Sequence, residues 1–368
     1  MHKSVRLAVA FFLAASPLAT RFEAQKVSNP GASVLDVTAR QAFLKQTTDA
    51  RLRNAVAHLG SCTATPLVAA PKGEIQIPHH YMQGSNGPVN PAEAEATRVY
   101  GAFEHRITSG MNQWVATGNE AEAQCALAQL DAWAEAKALT NYDPKAYSQS
   151  WFQAEWSLAS AGVTASVLRQ DRALDAAQQE RVAKWLRNAA HQLISYEKPG
   201  EPGNNHHYWR ALAAISIGVL SDDNDLFRFG VSTFKQAVGQ EDSNGAFPLE
   251  MARHENAIHY QAFALQPLIM IAEFAARQNV DLYGYTEQGR TIRNAVTFLG
   301  QAIADPGVVK QYTNDEQKTN FGSGDIAELE FYFARFGPDS APSSLRNLLR
   351  NPATATRVGG NTTVLAGK

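Results

Sequence analysis

The sequence predicts an all-α protein whose helices pack as antiparallel pairs around a ring. Three observations predict it. From Val34 onward Ala, Leu, Gln and Glu dominate, with the apolar positions at helical spacing. β-branched alternation of period two is almost absent, which disfavours a sheet. The helical stretches follow one another through mostly short links, and short links make successive helices antiparallel neighbours.

The chain has 368 residues, of which 45% are hydrophobic and 18% charged, with a formal net charge of −2. This is the balance of an ordinary globular protein. It argues against a disordered chain or a nucleic-acid coat, so a polyanionic partner must meet local positive charge. Residues 1–24 read as a cleaved secretory signal, with Lys3 and Arg6 ahead of an apolar run from Leu7 to Ala15. That run is too short to span a bilayer. An exported protein, periplasmic or secreted and without a membrane anchor, is expected. Cys62 and Cys125 are the only cysteines, and without C-x-x-C or matching histidine spacing they read as a disulfide. Two buried thiols are the alternative.

Asp36 opens a helix expected over 36–59, and the loop through Cys62, Pro66 and Pro71 ends it. The stretch 73–88 is rich in Gly, Pro, His and Asn, and irregular loops of that length are more often functional than idle. Helical patterns recur over 91–117, 120–138, 145–168, 173–196, 206–220, 224–238, 250–278, 284–304 and 325–336. Beyond Pro352 no strong helix pattern remains, so the tail is expected to pack as an irregular arm. No Pro/Ser-rich linker divides 25–368, which reads as one domain.

Two stretches carry candidate chemistry. Gly203-Asn204-Asn205-His206-His207-Tyr208-Trp209 groups two carboxamides, two imidazoles and two sugar-sized aromatics. Asn204 or Asn205 can cap a helix starting near His206, where the positive end of the helix dipole biases His206 toward its neutral form. The second stretch, Arg253 to Tyr260, adds a fixed cation and a phenol. Seven residues apart on a helix spanning 250–278, Arg253 and Tyr260 would share one face, with Ala257 and Ala264 leaving room for a ligand along it. An adjacent guanidinium would lower the phenol's pKa. Six of the ten histidines fall at 79, 80, 206, 207, 254 and 259, yet no H-x-x-x-H motif or grouped carboxylates accompany them. Neither a metal nor a cofactor is expected.

These residue types suit β-elimination from a uronic acid. The C5 proton becomes removable once amide, imidazole and guanidinium neutralise the neighbouring carboxylate, and a phenolate can then take it.

The segments Asn204 to Trp209, Asp225-Leu226-Phe227, Glu250-Met251-Ala252-Arg253 and Tyr260 to Leu268 resemble the alginate lyases of polysaccharide lyase family 5. The resemblance implies an incomplete α/α toroid and a periplasmic mannuronate lyase. It implies that Asn205 and His206, helped by Arg253, neutralise the carboxylate, and that Tyr260 is catalytic base and acid. Lid residues His80 and Tyr81, with His207, Trp209 and Arg357, are the expected substrate contacts. The chain departs from the family's pattern at His207, where the family usually has Ser. It departs again in His80-Tyr81-Met82-Gln83-Gly84, where the family tends to have Lys-Tyr-Glu-Gly. The expected partner is an acidic polysaccharide and the expected state a monomer. A poly-glucuronate (glucuronan) lyase, a helical-toroid glycoside hydrolase using Glu250 and Glu255, and a non-catalytic polysaccharide scaffold are the alternatives.

Overall fold

The computed structural model describes residues 25–83, 87–198, 200 and 202–368. The expected leader, 1–24, lies outside them. Side-chain caps start most of the helices, as the Asn and Asp positions suggest. Asp36 caps α1 (Val37–Gln46), and Asp49 caps α2 (Ala50–Ala57) by accepting from the Leu52 amide at 2.8 Å. The single helix expected over 36–59 is therefore two, because extended Thr47 stops the first and Asp49 restarts the second.

Asn90 caps α3 (Pro91–Thr117), with Pro91 in the first turn where a missing N–H costs nothing. Then follow α4 (Glu120–Glu135), α5 (Ser148–Leu168), α6 (Ala176–Ser195), α7 (Asn205–Ser221) and α8 (Asn224–Gln240). The expected helix over 250–278 is broken. A short α9 (Pro248–Met251) and a 3₁₀ turn, His254–Asn256, precede α10 (Ala257–Arg277). His254 takes a positive φ of 54°, which a continuous helix does not allow. The remaining helices are α11 (Ile292–Ala304), α12 (Leu329–Phe336), α13 (Ser343–Leu348) and α14 (Thr362–Ala366).

Helices α3, α5, α7 and α10 touch in succession and form the inner layer of an incomplete α/α toroid. Their partners α4, α6, α8 and α11 lie behind them. Burial follows the layers, since α5 is buried along almost its whole length while α6 buries one stripe. Small residues bring the inner helices close. A Cβ on Gly162 of α5 would sit 2.3 Å from Ser216 Oγ of α7, so any larger residue there would force the pair apart.

The tail is not an irregular arm. Strands β1 (Thr354–Ala355) and β2 (Gly360–Asn361) pair antiparallel, and the segment packs on α3 and α5. Gly360 has φ 89°, and a Cβ there would lie 2.5 Å from Asn112 Oδ1, the atom that accepts from the Asn361 amide. Glycine is what lets the tail close on the inner ring. Cys62 and Cys125 are bonded, as expected, and join a loop to α4. No described helix is long and apolar enough to cross a membrane.

Candidate active site

A cavity of about 470 Å³ opens at one end of the inner ring, between α5, α7, α10, the lid stretch and the tail. Asn205, His206, Arg253, Tyr260, His80, Tyr81 and Arg357 all line it. These residues come from four separate regions of the chain.

Asn204 caps α7 with a bond to the His206 amide at 3.1 Å, which puts Asn205 and His206 in the first turn. Glu250 of α9 then clamps Asn205. Its two oxygens accept from the Asn205 backbone at 2.6 Å and from Nδ2 at 3.0 Å. Burial raises the Glu250 carboxyl to about 7, with the Asn205 bonds and Arg253 opposing. Asn205 Oδ1 is buried without a hydrogen-bond partner among the described residues, while the second Nδ2 hydrogen remains unspent. His206 stacks on Phe152 with ring centroids 3.6 Å apart and meets Glu155 Oε1 through Nδ1 at 2.6 Å. Burial and the guanidiniums of Arg210, Arg253 and Arg357 hold its pKa well below the ordinary histidine range.

Arg253 reaches Tyr260 across the helix break, donating from Nη2 to the phenol oxygen at 2.7 Å. The pairing expected from a shared helix face is present, but the geometry is different. Ala257 and Ala264, expected to leave a groove, are fully buried in the core instead. The expected lowering of the phenol's pKa is also reversed. Burial raises Tyr260 above the ordinary phenol range and the Tyr81 hydroxyl adds to it, with Arg253 only partly offsetting them. Tyr81 lies 3.3 Å from Tyr260, oxygen to oxygen.

The lid is held at its base. The Asn90 side chain donates to the His79 carbonyl at 3.0 Å, and an isolated bridge pairs Tyr81 with Val89. His80 Nδ1 stands 3.3 Å from a buried Glu93 oxygen. Arg357 lies over the Trp156 ring at 3.9 Å, sandwiched against Phe263 at 5.8 Å, so its cation is presented on an aromatic wall.

Two expected substrate contacts do not reach the cavity. One residue beyond His206 on the helix, His207 turns away to Glu197 at 3.0 Å and Thr233 at 3.2 Å. Trp209 is fully buried against Phe263. Conversely, Phe152 and Trp156 line the cavity and were not singled out, although two aromatics at i and i+4 share one face of α5. Gln149, Asn256, Gln266 and Asp325 also line the cavity. A hydrolase pair is not formed, because Glu250 spends both oxygens on Asn205 and Glu255 pairs with Lys318 outside the cavity.

The model of the alginate lyase family matches residues 23–309. An alginate lyase of Pseudomonas putida (strain GB-1) is 32% identical over 272 residues, covering 68% of this chain and 71% of that protein. A polysaccharide lyase of Stenotrophomonas maltophilia (strain K279a) is 27% identical over 323 residues, 86% of this chain and 95% of that one. Among solved structures, alginate lyase A1-III from Sphingomonas species A1 superposes with a TM-score of 0.86 at 40% identity, covering 96% of this chain and 100% of that chain. With the family model matching residues 23–309 and the structural match extending over most of its length, the chain belongs to the alginate lyase family and is a polysaccharide lyase.

Proposed function

We propose that the chain cleaves β-1,4-linked poly-mannuronate, the mannuronate form of alginate, by syn β-elimination. The observation that carries this reading is the convergence of Asn205, His206, Arg253 and Tyr260 on one cavity. The free Nδ2 hydrogen of Asn205, Nε2 of His206 and the Arg253 guanidinium are the groups that face a uronate carboxylate. They stabilise the negative charge that develops as C5 is deprotonated. Tyr260, as phenolate held by Arg253, takes the C5 proton. The C4–O4 bond then breaks, a C4=C5 double bond forms, and the phenol returns the proton to O4. In β-linked mannuronate the C5 hydrogen and O4 lie on the same face of the ring, so one residue serves both steps.

The names carried by relatives favour alginate, and a form of alginate lyase A1-III is described as complexed with a tetrasaccharide. Poly-glucuronate is the second reading, because it differs from poly-mannuronate only at C2 and the lid carries His80 beside Glu93 where the family tends to have lysine. The Cys62–Cys125 disulfide supports an oxidising compartment, periplasmic or secreted. The test is absorbance from the unsaturated uronate product on poly-mannuronate, poly-guluronate and poly-glucuronate. Fastest turnover on poly-mannuronate is expected. Absence of unsaturated product from all three overturns the reading.

A further inference from the structure

Glu155 is fully buried on α5, and the elimination just described gives it no task. Its Oε1 lies 2.6 Å from His206 Nδ1, and its Oε2 accepts from Arg210 Nη1 at 2.7 Å. Arg210 also pairs with Glu197, which in turn meets His207. With Nδ1 taken by Glu155 and one ring face covered by Phe152, His206 has only Nε2 left for the cavity.

We propose that Glu155 is a positioning residue that makes carboxylate binding at His206 proton-linked. The Glu155–His206 pair holds a single proton, in its bridge, when the site is empty. It takes a second from solvent, onto Nε2, when a uronate carboxylate docks. The inference rests on the reading of the cavity as a uronate site and adds to it.

The charges facing the pair set the direction. Arg210 from α7, Arg253 from the helix break and Arg357 from the tail all oppose an imidazolium in the empty site, as burial does. Glu155 is the counter-charge, with Glu197 and Tyr142 facing it in turn. A bare Nε2 would set its lone pair against a carboxylate oxygen, acceptor against acceptor. Docking brings a negative charge beside Arg253 and Arg357, the two guanidiniums that line the cavity. Protonating Nε2 then turns that repulsion into a charge-assisted hydrogen bond. Burial disfavours the Glu155 carboxylate, while the hydrogen bond and charge of Arg210, with Arg357, favour it as the counter-charge. In balance, one proton leaves a solvent or buffer acid to form the Nε2–H bond as one carboxylate binds, and no other covalent bond changes.

Glu155→Gln separates this role from space-filling. Arg210 only donates, so the amide oxygen must replace Oε2 and the NH₂ must replace Oε1, where it donates to Nδ1. The imidazole's own proton then moves to Nε2. The ring becomes a neutral, permanent donor and needs no proton from solvent.

The experiment uses the full chain carrying Tyr260→Phe, so that bound ligand is not cleaved, and titrates a mannuronate tetrasaccharide at pH 8 in buffers of different ionisation enthalpy. With Glu155 present, uptake of about one proton per site is expected, and Kd weakens by up to about tenfold per pH unit. With Glu155→Gln added, no uptake and a flat Kd are expected. No uptake with Glu155 present, or equal uptake in both proteins, overturns the proposal. A ligand-free arm reads the His206 tautomer by nitrogen NMR in the parent and in Glu155→Gln, expecting Nδ1–H and Nε2–H respectively. The same tautomer in both overturns it as well. If the tetrasaccharide does not bind, the uronate reading fails, and the tautomer comparison still decides the role of Glu155.

Discussion

The Arg253 guanidinium and the Tyr260 phenol meet at 2.7 Å across a break in the chain, the guanidinium also lying 4.0 Å from the centroid of the phenol ring. Arg253 precedes a 3₁₀ turn and Tyr260 stands in the first turn of α10, so the pair depends on the break and not on a helix face. The cation is fixed beside the phenol that the proposed elimination uses to move the proton.

Arg253→Ala should lower kcat by about 10²–10³-fold with a smaller change in KM, because the cation serves charge that develops in the transition state. Arg253→Lys should recover part of the loss, since an ammonium keeps the charge and loses the fork. Steady-state kinetics on poly-mannuronate distinguishes this from simple binding. A rise in KM alone would reduce Arg253 to a ground-state contact.

Tyr260 is protonated in the empty site because burial and Tyr81 both raise its pKa. The phenolate fraction grows with pH, so kcat should rise by up to about tenfold per pH unit through the neutral range. Tyr81→Phe removes one of the raising influences and should move that rising limb to lower pH. A pH profile of kcat checks the sign, and a limb moved to higher pH would contradict it.

Glu241 is buried, with neither carboxylate oxygen hydrogen-bonded among the described residues, and burial raises it to about 9 from 4.5, Arg290 opposing. The folded state therefore holds a proton that the unfolded chain releases above about 4.5. Stability from this group falls as pH rises from about 4.5 to about 9. Glu241→Gln should raise Tm at pH 8, with the gain shrinking toward pH 5. An equal gain at both pH values would exclude titration as the cause.

The Cys62–Cys125 bond closes a loop with a sequence separation of 63 residues. Replacing both cysteines by serine should cost roughly 4 kcal/mol through the freed entropy of the unfolded chain. Thermal unfolding under non-reducing conditions reads this as a lower Tm. An unchanged Tm would mean that the bridge adds no constraint beyond the packing of α4.

The helix starts were legible because Asn90, Asn119 and Asp223 are caps with a local signature that later packing does not override. The break before α10 was not, since no Gly or Pro stands between Arg253 and Tyr260 and yet His254 takes a positive φ. Arg253 and Tyr260 were picked on an i, i+7 argument that the fold does not use. Trp209 was chosen for its type, yet its position in α7 turns it into the core. Glu155 was out of reach because its meaning comes from His206, 51 residues away in sequence and on another inner helix. Chemical type was readable along the chain, whereas pKa directions depended on burial that only the assembled ring creates.

The central claim is that Tyr260 moves the proton. Its most direct test follows the absorbance of the C4=C5 product from poly-mannuronate for the parent and for Tyr260→Phe, with both proteins matched in thermal unfolding. The account predicts steady product formation by the parent and a fall of at least about 10²–10⁴-fold in the variant. Unsaturated product formed by Tyr260→Phe at the parent's rate would contradict it.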